Sequence, residues 1–187
     1  MSCIQVLYDE HEHIRRLLKV IEAMLEGLLR GSAADQEDFA KVIFFIRQFA
    51  DRLHHGKEED FLFKIMLEEM PSLAGPLIQN GMLVEHNLAR SHTFDLETAV
   101  AAYAVEPSVS NRLNVVVAAG SYRVLLDRHM NKEDTAVFTF AEKNLSASAR
   151  QKLVGALSAF EANPEHQVLK ATCLNDLNRL EQRYLKQ

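Results

Sequence analysis

At 187 residues, 48% hydrophobic and 25% charged, the chain has the size of one ordinary domain with enough apolar material for a core. Its 21 basic and 26 acidic residues leave a net charge of −5 with no Lys/Arg run long enough to neutralise a phosphate backbone, which argues against a nucleic-acid partner. No apolar run approaches the roughly 20 residues that span a bilayer, so no membrane partner is expected, and Cys3 and Cys173 are too far apart in sequence for a C-x-x-C site.

The N-terminal stretch MSCIQVLYDEHEH turns acidic and histidine-rich without the charged and apolar regions of a signal peptide, so a cytoplasmic location is expected. Glycine and proline are few and clustered and alternating β-branched runs are absent, which predicts an all-α chain. Helix A is expected at about 3–29, ended by the glycine of GSAADQED, whose polar residues offer the next N-cap. Helix B follows at about 36–69, MPSLAGP breaks the chain, helix C covers about 77–104, and EPSVS separates it from helix D at about 110–143. Shorter helices at about 147–161 and 165–185 finish the chain. Four long helices with short connections predict an antiparallel up-down-up-down four-helix bundle within a single domain over 1–187, the last two helices being an addition. Leu169, Leu174, Leu177, Leu180 and Leu185, loosely at helical spacing, suit either a cap on the bundle or a homodimer contact.

Positions four apart on a helix project from nearly the same side. In helix D, Val115, Ala118, Ala119, Tyr122, Leu126, Val137 and Phe140 form one apolar stripe with His129 and Glu133 in its middle. Ionisable groups on a core stripe need a partner, because burying them bare is costly. His11 lies on the stripe of Leu7, Ile14, Leu18, Ile21 and Leu25 in helix A, with His13 about a quarter-turn away. Helix B is mixed: Leu62, Phe63 and Met66 turn His55 and Glu59 inward, whereas Val42, Ile46, Phe49 and Leu53 mark another side. HGKEED at 55–60 echoes HMNKED at 129–134, aligning His55 with His129 and Glu59 with Glu133, and that echo favours His55 and Glu59 over His54 and Glu58. In helix C the stripe of Ile78, Met82, Ala89, Leu96 and Val100 accommodates either His86 or His92.

Three H-x-x-x-E pairs occur, at 54/58, 55/59 and 129/133, where composition alone would give about one. Such pairs also occur as surface ion pairs worth a few tenths of a kcal/mol. What separates this chain from that reading is that every long helix offers a histidine and two add a glutamate at the right offset. Imidazoles and carboxylates converging inside a bundle suit iron, manganese or zinc. A ferritin-like oxidase would need two Glu-x-x-His motifs, and there is one, Glu10 to His13.

The motifs DEHEHIRRLL, FADRLHHGKEEDFLF, MLVEHNLAR and YRVLLDRHMNKEDTAVF, covering about 5–143, resemble those of the hemerythrin-like (hemerythrin HHE cation-binding) family. The resemblance implies metal ligands at His11, His55, Glu59, His86, His129 and Glu133, choosing His86 in helix C, around two iron ions in a carboxylate- and oxo-bridged non-haem centre. It departs from the oxygen carriers at Arg90, where they have a further histidine, and in the short spacing to Glu133, and is closer to bacterial hemerythrin-like proteins. The function it implies is binding or sensing of a small diatomic ligand, dioxygen or nitric oxide, or of related reactive species. Di-iron redox chemistry or iron donation in iron-sulfur-cluster repair is the alternative, and a metal-free helical interaction module is a third. No general base or substrate motif marks a named reaction, so enzymatic activity is left open. Tyr122, two turns before His129, is a candidate hydrogen-bond donor near the metal, and His54, Glu58 and Asp60 are candidates to orient ligands.

Overall fold

The computed structural model describes residues 3–186; Met1, Ser2 and Gln187, the ends of the expected 1–187 span, lie outside the described residues. The described residues are all-helical, with no strand. Six helices follow one another: α1 (Gln5–Leu29), α2 (36–69), α3 (71–105), α4 (109–144), α5 (Ala147–Glu161) and α6 (Pro164–Tyr184). None is long and apolar enough to cross a membrane.

The ends follow local chemistry. At the end of α1, Ser32 N–H donates to the Gly27 carbonyl at 2.9 Å and Gly31 N–H to that of Leu28 at 3.1 Å. This pairing closes the orphan carbonyls of the last turn and requires the left-handed φ of +100° that Gly31 adopts. Asp35, Ser108, Ser146 and Asn163 cap α2, α4, α5 and α6 by accepting a backbone N–H from the first turn. Helix α3 starts at Pro71, six residues earlier than MPSLAGP suggested. Only Met70 leaves helical geometry, and Pro71 takes the first helical position, where a missing N–H costs nothing. Pro76 then forfeits one hydrogen bond to Ser72, an exposed residue whose carbonyl can hydrate instead.

Two apolar clusters form the core. The larger holds Ile14, Leu18, Ile21, Phe39, Phe45, Phe49, Leu53, Ala89, Leu96, Val115, Tyr122, Leu126 and Met130, with Cys173, Leu177 and Leu180 of α6. The smaller holds Leu7, Leu62, Phe63, Met66, Ile78, Met82, Val137 and Phe138, with Leu145, Ala149, Leu153 and Leu157 around α5. Each buried Leu, Ile or Phe contributes roughly 1.5–3 kcal/mol. The leucine stripe of α6 is occupied by the chain's own core: Leu177 and Leu180 are buried and Leu169 and Leu174 pack against the larger cluster, while Leu185 is exposed. On each of the first four helices the sequence passes from one cluster to the other across a few buried polar residues. These are Glu10 and His11 between Leu7 and Ile14, His54 to Glu58 between Leu53 and Leu62, His86 between Met82 and Ala89, and His129 and Glu133 between Leu126 and Val137. The polar layer therefore lies between two apolar plugs.

Candidate metal centre

The layer is shaped by wide turns. Helix α2 is π-helical over Ile46–His55 and again over Glu58–Phe63, and α4 over Glu133–Val137. Such i→i+5 turns are rare and concentrate at functional sites. Here they explain the mixed periodicity of helix B: each wide turn takes in an extra residue, so Ile46, Phe49 and Leu53 before the layer and Leu62, Phe63 and Met66 after it are all buried.

Seven side chains meet: His11 from α1, His54, His55 and Glu58 from α2, His86 from α3, and His129 and Glu133 from α4, each at most 2% exposed. Their donor atoms form two overlapping groups, His11, His54, Glu58 and Glu133, and His55, Glu58, His86 and His129, with atoms in each group within 4.8 Å of one another. Glu58 belongs to both. Glu133 reaches across as well, its Oε2 lying 3.2 Å from both His11 Nε2 and His129 Nε2, and its Oε1 3.8 Å from His86 Nε2. The rings of His55 and His86 stack with centroids 3.8 Å apart, and His11 stacks on Phe138.

Each imidazole is oriented from outside by a carboxylate. Nδ1–H of His11 donates to Asp134 at 2.7 Å, that of His54 to Glu10 at 3.1 Å, and that of His55 to Asp51 at 3.3 Å. His86 donates to Glu59 at 2.6 Å and His129 to Glu85 at 2.9 Å. A carboxylate only accepts, so the proton sits on Nδ1 and the Nε2 lone pair faces the layer. His86 Nε2 and His129 Nε2 accordingly face each other at 3.1 Å with no proton between them in that tautomer.

Of the five expected site residues besides Glu59, the structure brings together His11, His55, His86, His129 and Glu133. Glu59 is placed differently: it is half-buried outside both groups, where it accepts from His86 Nδ1 and, at 2.7 Å, from Arg90. Glu58 occupies the inward place instead, and His54 joins it. The reason is angular. Glu58 is four residues after His54 and three after His55, so it lies between the two rings, while Glu59 turns past them toward α3. Two adjacent histidines with an acid at +4 from one and +3 from the other was the signal that the echo with helix D concealed. His13, His92 and His166 take other partners, Arg16, Asp95 and the Phe160 carbonyl.

Charges in the layer are unevenly tuned. Burial and the neighbouring Glu133 push Glu58 well above the carboxylate range. Burial pushes Glu133 the same way, but His129, His11 and His86, when they carry a second proton as imidazolium, outweigh it and hold Glu133 well below that range. Burial draws His54 down to about 4, and burial with the His86 ring draws His55 well below the usual imidazole value.

The fit to a cation rests on orphaned atoms. Among the described residues, the buried side-chain polar atoms without a hydrogen-bond partner include Nε2 of His11, His54 and His55 and both carboxylate oxygens of Glu58 and Glu133. Buried polar groups are normally satisfied, and leaving one unpaired costs about 1–3 kcal/mol. A convergent set of imidazole nitrogens and carboxylate oxygens left without hydrogen-bond partners is what a divalent cation satisfies.

A cavity of about 320 Å³ adjoins the layer, walled by Ile46, Ala50 and Ala89, with His55 and Tyr122 lining it and Arg47 and Arg90 on the solvent side. The Tyr122 hydroxyl is buried and unpartnered, and burial holds it far above the usual phenol range.

Among curated proteins and among solved structures, none matches the chain. A family model, the hemerythrin HHE cation-binding domain, matches residues 3–141, which contain every residue of the polar layer. The chain belongs to the hemerythrin HHE cation-binding domain family.

Proposed function

We propose that the protein is a non-haem di-iron protein that binds or senses a small diatomic ligand, dioxygen or nitric oxide. One iron is assigned to His11, His54, Glu58 and Glu133 and the other to His55, Glu58, His86 and His129, with Glu58 and Glu133 shared. The observation that carries this reading is the set of Nε2 and carboxylate atoms left without hydrogen-bond partners and grouped within 4.8 Å. Its frame, also proposed, is one domain built on an antiparallel up-down-up-down bundle of α1 to α4. The order of the apolar clusters supports it, since successive helices cross the polar layer in alternating directions.

Iron held by imidazole and carboxylate supplies a redox-active centre for small oxygen- and nitrogen-containing ligands. The chain's own residues fix how such a ligand is received. Asp134, Glu10, Asp51, Glu59 and Glu85 hold the rings, and the apolar plugs on either side keep bulk water out. The cavity beside His55 offers the approach, and Tyr122 holds a proton on its hydroxyl at neutral pH, available to donate to a ligand oxygen. Arg90, bound to Asp51 and Glu59, stands where the oxygen carriers have a histidine. The metal-free interaction module is disfavoured by the same orphaned atoms, which it would leave uncompensated.

The test is the metal content of anaerobically purified, iron-supplemented protein, with visible spectra before and after dioxygen or nitric oxide is admitted. About two irons per chain and a spectrum that responds to either gas is the expected result. Protein without bound metal, or with a single zinc, would overturn the reading.

A further inference from the structure

Lys57 lies between two candidate ligands in sequence, His55 and Glu58, yet faces away from the layer and is fully buried. Its ammonium bridges the carboxylates of Glu10 and Glu161, 5.4 Å from the centroid of the Phe160 ring. Lys170 makes the same bridge, 3.0 Å from Glu10 Oε1 and 2.8 Å from Glu161 Oε2. Two lysines and two glutamates from four helices thus alternate in a closed, neutral ring, and the free oxygen of Glu10, Oε2, is the one that receives His54 Nδ1–H.

Stability alone does not account for this ring. Taking an ion out of water costs several kcal/mol, which pairing repays only with good geometry. What the ring does fix is Glu10: with Oε1 held by two ammoniums, Oε2 is aimed at His54. The other orienting carboxylates are held differently. Asp134 is held by Arg15, Asp51 and Glu59 by Arg90, and Glu85 by Lys132, all within 3–141. Among the described residues, Glu10 is the orienting carboxylate with a holder beyond the segment that matches the family, Lys170 of α6, which is itself held by Glu161 of α5.

We propose that α5 and α6 are a positioning unit for one of the two cation positions. Through Glu161 and Lys170 they lock Glu10 and the His54 ring of the His11, His54, Glu58 and Glu133 group, while the His55, Glu58, His86 and His129 group is independent of them. This rests on the two-cation reading above. Without Glu161 and Lys170, Glu10 keeps one ammonium on a flexible stem and can turn away from His54, which then loses its fixed tautomer.

Full-length, metal-free protein is titrated anaerobically with Co²⁺, following calorimetry and the ligand-field absorption. The wild type takes two ions. The variant carrying Glu161→Gln and Lys170→Met, which leaves net charge unchanged, keeps one affinity and loses about 10–100-fold in the other, with a changed absorption for that step alone. Lys170→Arg restores the second affinity. Arg16→Met, which cuts the tie of α6 to α1 through Glu181 and Asn178 away from Glu10, leaves both affinities unchanged and controls for loosened packing. If the double variant does not fold, Glu161→Gln alone reads the same selective loss. Two ions in the wild type with both positions weakened equally, or neither, would overturn the inference and leave the di-cation reading standing. A wild type that fails to take two ions would overturn both.

Discussion

Glu58 and Glu59 are neighbours with opposite roles: one lies inside the layer with both oxygens unpartnered, the other outside it holding a histidine and an arginine. Replacing each by alanine should separate those roles. Glu58→Ala removes a carboxylate common to both ligand groups and is expected to abolish two-cation stoichiometry, whereas Glu59→Ala keeps the stoichiometry and weakens affinity about 10–100-fold. Metal content per chain and a chelator competition read the two outcomes, and equal loss in both would remove the distinction. At Tyr122, Tyr122→Phe deletes only the hydroxyl. Loss of one hydrogen bond to a ligand is worth about 1 kcal/mol, so nitric oxide or dioxygen should leave the iron-loaded variant about five- to tenfold faster in stopped-flow measurements. An unchanged rate would return Tyr122 to the status of a core aromatic.

At the scale of the helices, most of the architecture was legible because it depends on features one residue long. Gly31, Asp35, Ser108, Ser146 and Asn163 announce helix ends by their own chemistry, and of the six expected site residues, all in the quoted motifs, His11, His55, His86, His129 and Glu133 meet in the buried layer while Glu59 stands outside it. What escaped is what depends on turn width. The regular 100° step assigns Val42, Ile46, Phe49 and Leu53 a different face from Leu62, Phe63 and Met66, and only the π-helical turns of α2 reconcile them. The start of α3 escaped for a related reason, since proline reads as a breaker until its position within the first turn is known. The ring of Glu10, Lys57, Glu161 and Lys170 joins residues up to 160 apart, and no local pattern announces it. That ring makes the docking of α5 acid-sensitive. Burial pushes Glu161 up, but Lys170 and Lys57 outweigh it and hold its carboxyl below the usual carboxylate range. Its contribution is therefore complete above about pH 4.5 and fades as pH falls through the lower folded value. Acid unfolding followed by circular dichroism should show this as a steeper loss of stability below pH 4.5 in the wild type than in Glu161→Gln.

For the molecule as a whole, buried polar atoms without partners between two apolar plugs are a liability that bound cations would remove. An ion at 100 times its dissociation constant adds about 2.7 kcal/mol, and 1 kcal/mol moves the midpoint of a protein this size by about 2–4 °C. Chelation should therefore lower Tm by roughly 5–10 °C per ion removed, read by calorimetry with and without excess metal, and an unchanged Tm would mean the layer is satisfied without cations. The plugs also decide where charge can be felt. Because apolar residues close both ends of the layer, a unit of charge gained or lost there is compensated sideways, along each ring and its carboxylate, to Arg15, Arg90, Lys132 and Lys170 at the rim. The electrical state of the interior is thus displayed on the flanks of the protein and not at its tips, in four places where a basic side chain already reaches solvent.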